Sequence, residues 1–347
     1  MAPSFLPTLP SLVCNPTVNI KSLATPKCAS NSVTTIRCCR VEIGGKVSED
    51  SFIRRDFLKC FGASIGMGLI SSSGPFVQKA NAADLIQRRQ RAEFQTQLRE
   101  IISIALEKNQ ELIPSVLTMA LNDAITYDKA TKSGGANGSI RFEIDRPENK
   151  ALAPAFSFLE DAKKEIDSVS KGGPISYADL IQFAAQNAVK FTFLEAAVKR
   201  SGGNRDKGAQ LYAAYGSSGQ WLLFDKNFGR SDTDAPDPEG RVPQWDKSSV
   251  QEMKDRFIAV GLGPRQLAVM SAFLGPDQAA TEAVLVSDPE VAKWVESYQR
   301  SRETVSRTNY EVDLITALTK LSVFGQSINY EAYTYAPPKI DITKLKL

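Results

Sequence analysis

Thr118-Met-Ala-Leu-Asn122-Asp-Ala-Ile-Thr-Tyr-Asp128-Lys-Ala-Thr-Lys-Ser133-Gly-Gly-Ala-Asn-Gly-Ser-Ile140 reads as a helix that runs into a glycine-rich loop. Ile113, Val116, Leu117, Ala120, Leu121 and Ala124 recur at helical spacing, which predicts one apolar face. Pro114 falls in the first turn, where its missing N–H costs nothing. Ser133, Gly134, Gly135, Asn137 and Gly138 then stop the helix.

Helical spacing continues on both sides. Leu85, Phe94, Leu98, Ile101-Ile102 and Leu106 predict an amphipathic helix from Asp84 to Glu107. Residues 141–150 make a polar connection, and a helix from Leu152 to Asp167 carries Ala155, Phe156, Leu159 and Ala162 on one side. Ser176-Tyr177-Ala178-Asp179 has the spacing of a capping box. The helix it opens runs through Val189, Phe193 and Ala197 to Ser201-Gly202-Gly203. Residues 201–228, with Tyr212, Tyr215, Trp221 and Phe224, are the most aromatic stretch, fitting either a docking or ligand-lining insertion or, more plainly, a local core. Residues 229–243 read as a proline-rich surface loop, whose acids lack EF-hand spacing. Helices around 249–260 and through Tyr310, Leu314, Leu318 and Leu321 follow. From about Tyr333 the tail reads as an extended surface strap. No solenoid period and no strand-like alternation is present, so the fold class is all-α.

All five cysteines (Cys14, Cys28, Cys38, Cys39, Cys60) precede residue 61, and the chain has no histidine. The first 82 residues carry nine Lys/Arg against four Asp/Glu, and the remainder 33 against 35. Residues 1–48 are rich in Ser, Thr, Pro and Lys/Arg, with Glu42 their only acid, as in a chloroplast transit peptide. Arg54-Arg55-Asp56-Phe57-Leu58, an apolar run from Cys60 to Leu69 and Ala80-Asn81-Ala82 form a twin-arginine signal over 49–82. The run is too short to span a membrane. Together these segments address residues 83–347 to the thylakoid lumen. That part is near-neutral, has no basic stripe for nucleic acid and lacks zinc, thiol and histidine chemistry.

Several phrases, in order, resemble the class I haem peroxidases, the ascorbate peroxidase group. Their distal helix reads Arg-Leu-Ala-Trp-His-Asp-Ala-Gly-Thr-Tyr-Asp, then Gly-Gly-x-Asn-Gly-Ser-Ile-Arg. Residues 118–141 follow that pattern except at its reactive positions. Thr118 stands for the Arg, Leu121 for the Trp and Asn122 for the His. Pro174–Ala184, Gly229–Asp232, Pro238–Pro243 and Val260–Ser271 match further phrases. Asn149 matches the asparagine that orients the distal His; with no His to orient, it reads as a loop asparagine or helix cap. Leu274 or Phe273 takes the place of the iron ligand, and Thr308 aligns near its aspartate partner. The interval from Gly275 to Ser287 is too short for the proximal Trp, the alkali-metal loop and the ascorbate-binding Arg. The resemblance implies a haem-peroxidase-like helical fold with a degenerate haem pocket.

A haem peroxidase needs a general base, a cation over the breaking O–O bond and an axial ligand backed by a carboxylate. Asn122 does not titrate near neutrality, Thr118 carries no charge and Leu274 cannot ligate iron. Losing the general acid–base alone costs roughly 10²–10⁴ in rate. The expectation is therefore no catalytic, cofactor-binding or metal residues and no cofactor. It makes the protein a non-catalytic binding or accessory factor at a thylakoid membrane complex, with photosystem II the leading partner by location. The alternatives are a haem peroxidase with atypical ligation, through Met119, Met253, Met270 or a tyrosine, and a small-molecule binder in the vacated pocket, with ascorbate a weak candidate.

Overall fold

Gln90, Phe94, Leu98, Ile102 and Leu106 follow one another every four residues and are all buried. They form one stripe of α1 (Pro75–Lys108), which lies on α3 (Ala153–Val169) and α4 (Tyr177–Arg200). The computed structural model describes the backbone of residues 75–336 apart from 216 and 305–307, and the side chains of 84–336 apart from 215–216 and 305–308. The transit peptide, most of the twin-arginine signal and the tail beyond Ala336 lie outside the described residues. Among those described there are helices and turns but no strand, only an isolated bridge between Asp128 and Ser133.

The stretch 118–140 sits at the centre. α2 (Ile113–Ile125) does not keep the single apolar face its spacing predicts, because every residue from Val116 to Thr126 is buried. Helices α3, α4, α7 (Val250–Val260) and α11 (Thr308–Leu321) surround it, and the 3₁₀ turn Ser271–Phe273 closes the circle. A helix enclosed on all sides must satisfy its polar groups internally. Thr118 Oγ1 donates back to the Pro114 carbonyl at 3.1 Å, and Gln182 of α4 donates to the Ala120 carbonyl at 3.0 Å.

The glycine-rich loop is held at two points. Asp123 accepts the N–H groups of Gly138 (3.2 Å) and Ile140 (3.4 Å), and Thr126 Oγ1 accepts that of Gly135 at 2.9 Å. Gly135 has φ +102°, and a Cβ there would overlap the Phe324 carbonyl just past α11. Only glycine permits both the backbone angle and the approach. The neighbouring Ala136 N–H donates to the same carbonyl at 3.0 Å, so the loop and the end of the last helix are locked together.

Around this centre, α5 (Arg205–Tyr215) packs along α4, and α6 (Leu222–Lys226) meets α11. The short α8 (Pro264–Val269) touches α7, α10 (Pro289–Glu303) and α11, while α9 (Gln278–Leu285) packs on Ser271–Phe273. The capping box predicted at Ser176 is half made. Ser176 accepts the Asp179 N–H at 3.1 Å, but the Asp179 carboxylate turns into the core. A complete box forms instead at Ser249 and Glu252, opening α7. The loop 229–243 is less superficial than its prolines suggest: Arg230 and Asp237 are buried. The tail likewise enters the core before it emerges. Tyr333 is buried and stacks on Phe94 with ring centroids 4.4 Å apart.

Candidate functional site

The positions that the resemblance marks as reactive come together, but on apolar and neutral side chains. Leu121 and Met119 are wholly buried in α2. Asn122 is fixed on both ends of its amide. Its Nδ2 donates to Asn149 Oδ1 at 2.8 Å and, at 3.4 Å, to the Glu148 carbonyl; its Oδ1 accepts from Trp245 Nε1 at 2.7 Å. Asn149 in turn donates to the Glu143 carbonyl at 3.1 Å. It is a turn residue just before Lys150–Leu152, as the loop reading expects, but its side chain makes no cap there. Its partner is Asn122, at the position of the absent base. A neutral donor–acceptor chain of this kind holds a geometry but moves no proton near neutral pH.

The other half of the site adjoins Trp245, which lines one cavity with Leu274. Phe273 is fully buried and Leu274 nearly so, and the turn they end packs directly on α2. Ser271 Oγ donates to Glu282 Oε1 at 2.9 Å, and Arg302 pairs with Glu282 Oε2 at 2.6 Å. Burial pushes the Glu282 carboxyl up, but the hydrogen bonds from Arg302, Gln299 and Ser271 outweigh it and leave the group below the usual carboxylate range. Thr308 opens α11, and its side chain lies outside the described residues. No group of three or more His, Cys, Asp or Glu suited to a metal occurs among the described residues.

These positions supply no histidine or thiolate to hold a haem. A porphyrin between α2 and residues 271–274 would hold the two apart, and here they touch. The cavity beside Leu274 and Trp245 measures 230 Å³, below the roughly 300–1,000 Å³ usual for small-molecule sites. Histidine is missing from the whole chain, and no cysteine lies among the described residues. Trp245 is the residue that reading the sequence missed. It stands alone in a polar loop with no periodicity to announce it, and only its isolation as a large aromatic between Gln244 and Asp246 marks it as anchored.

Buried charge is concentrated in the frame of the site. Asp179 accepts from Arg230 Nη1 at 2.8 Å, from the N–H groups of Gly229 (2.8 Å) and Arg230 (3.1 Å), and from the Tyr333 hydroxyl at 2.7 Å. Arg230 Nε also reaches the Ser322 carbonyl at 2.5 Å. Asp237 accepts from Ser139 Oγ, and its N–H donates to Glu143 Oε1 at 2.7 Å, tying the proline-rich loop to the glycine-rich one.

Asp123 is wholly buried, and desolvation pushes its carboxyl up to about 8 against the pull of the Gly138 and Ile140 N–H groups. The folded protein therefore keeps a proton that the unfolded chain gives up near pH 4. The stabilisation is complete below the unfolded value and is lost as pH rises through about 8. Melting should accordingly occur several degrees higher at pH 6 than at pH 8.5, and Asp123→Asn should flatten that difference. An unchanged pH profile in the variant would remove Asp123 as its source.

Residues 98–275 match the family model described as Peroxidase. The chain is 63% identical over 353 aligned residues to the "Thylakoid lumenal 29 kDa protein, chloroplastic" of Solanum lycopersicum, covering 99% of each. The crystal structure of the TL29 protein from Arabidopsis thaliana superposes with a TM-score of 0.70 at 68% identity, over 72% of this chain and 99% of that one. A more distant relative is the peroxisomal L-ascorbate peroxidase 5 of Arabidopsis thaliana, 32% identical over 48% of each chain.

Proposed function

The chain belongs to the peroxidase family, close to its thylakoid lumenal 29 kDa members, and from that premise we propose that it is a member whose catalytic cycle is gone and whose fold serves binding. It is a peroxidase-like protein of the chloroplast thylakoid lumen. In this reading Thr118, Leu121, Asn122, Asn149, Leu274 and Thr308 are relics of catalytic positions and do structural work.

The observation that carries the reading is the clamp on Asn122. Trp245 and Asn149 hold both ends of the amide at the position of the distal base, while α2 packs directly on the turn that should present the iron ligand. A general base, a charge-stabilising cation and an axial ligand are missing together, and each supplies a separate part of the barrier reduction.

The accessory role rests on location. A protein delivered to the lumen by a transit peptide and a twin-arginine signal meets the lumenal faces of thylakoid complexes, photosystem II foremost. No helix among the described residues is long and apolar enough to cross a membrane, so attachment to such a complex is peripheral. Mature protein produced with haem supplied should leave gel filtration without a stoichiometric Soret band and should oxidise ascorbate with peroxide no faster than heat-inactivated protein. A retained band would restore the peroxidase reading. On native gels of thylakoids the protein should co-migrate with photosystem II and be released by salt washing; failure to co-migrate at low salt would end the docking proposal while leaving the loss of catalysis intact.

A further inference from the structure

A second cavity, of 310 Å³, opens away from the degenerate site, between α1, α4 and residues 205–221. Three cations line it: Arg99 from α1, Lys190 from α4 and, at the rim, Arg205. Arg99 and Lys190 each lack a full counter-ion. The nearest carboxylate to Arg99 is Asp225 at 3.9 Å, and that oxygen already accepts a 2.7 Å hydrogen bond from Gln186. Arg99 Nε is buried with no acceptor. Lys190 has no carboxylate within ion-pair distance among the described residues; its ammonium stands 5.0 Å from the centre of the Trp221 ring. At the rim Arg205 pairs with Glu107 at 2.9 Å and also stands 4.0 Å from Glu195. Deeper in, the two cations Arg99 and Lys190 have the single carboxylate of Asp225 near them.

The remaining walls are of two kinds. Leu106, Phe191, Leu194 and the Trp221 ring are apolar, and Asn187 and Tyr212 bring polar groups. We propose that this cavity binds a small organic monoanion, a carboxylate on a planar apolar body, with its charge toward Arg99 and Lys190 and its body against Phe191, Leu194 and Trp221. The volume lies at the lower end of small-molecule sites. A carboxylate accepting from an arginine and a lysine makes charge-assisted bonds about twice as strong as neutral ones. Burial pulls the Lys190 ammonium down to about 8, as expected of a cation short of both water and counter-ion. The site is built by the aromatic stretch 201–228, for which the sequence left a ligand-lining role and a local core both open. Trp221 serves both, being buried and lining the cavity.

Calorimetry with trans-cinnamate tests the assignment. The mature protein should bind one equivalent saturably, and both cinnamyl alcohol, which lacks the charge, and acetate, which lacks the ring, should bind at least about 10-fold more weakly. Arg99→Gln and Lys190→Met should each weaken cinnamate about 10-fold with unchanged melting temperatures. Should Lys190→Met fail to fold, Lys190→Gln and the alcohol comparison decide in its place. No saturable heat up to about 10 mM cinnamate, or equal affinity for the alcohol, would overturn the proposal. So would cinnamate affinity unmoved in both variants. None of these results bears on the proposed loss of peroxidase chemistry, which concerns residues of α2 and of the turn Ser271–Phe273.

Discussion

Asp179→Ala should lower folding stability by about 3–5 kcal/mol, read as a shift of the urea midpoint at unchanged slope. The carboxylate is wholly buried and collects four hydrogen bonds from two distant parts of the chain: the N–H groups of Gly229 and Arg230 with the Arg230 side chain, and the Tyr333 hydroxyl. Alanine would leave a buried guanidinium with no counter-charge, and Arg230 Nη2 already lacks a partner. It would also orphan two backbone N–H groups, each a desolvation penalty of about 1–3 kcal/mol where water cannot enter, and leave the Tyr333 phenol with Ser176 alone. Replacing both ions by leucine would not rescue the fold as it does for an isolated buried pair, because the N–H groups of Gly229 and Arg230 would stay unpaired. Tyr333→Phe removes a hydroxyl that meets Asp179 and the N–H and Oγ of Ser176 but leaves Arg230 paired, and should cost less, about 1–3 kcal/mol. If Asp179→Ala cost no more than Tyr333→Phe, the carboxylate would not be the hub of this region.

The same residue shows where sequence reasoning reaches and where it stops. The helix opening at Ser176 was legible because its signal is local: a serine, three residues, an acid. The acid's true partners lie 51 and 154 residues away, and no spacing rule connects them. The enclosure of α2 was hidden for a related reason. Thr118, Asn122 and Asp123 look like the polar face of an amphipathic helix, and only the tertiary partners of Asn122 and Asp123 reveal that the face is inside. Absences were the most readable feature. A chain without histidine announces at once that histidine acid–base and histidine iron-ligand chemistry are absent, whereas the side chains at those positions had to be found in three dimensions.

Trp245→Ala is the substitution that probes that space, and it should cost about 3–5 kcal/mol for the indole alone. The ring is buried, meets Phe257 edge-on at 6.2 Å and borders the 230 Å³ cavity beside Leu274. Its removal would enlarge that cavity and leave Asn122 Oδ1 without its 2.7 Å donor, a further loss of about 1–3 kcal/mol. Trp245→Phe separates the two effects, keeping most of the apolar volume while deleting the donor, and should retain the larger part of the stability. Even with the indole gone, haem offered to the variant should give no stoichiometric Soret band, because the enlarged space is lined by Leu274 and the thioether of Met253, with no histidine, cysteine or tyrosine among its residues. A band appearing in Trp245→Ala alone would mean that the tryptophan had displaced a haem site still intact beneath it. A loss below about 1 kcal/mol would instead mean that the clamp on Asn122 is incidental, and the distal half of the site would then need another explanation for its order.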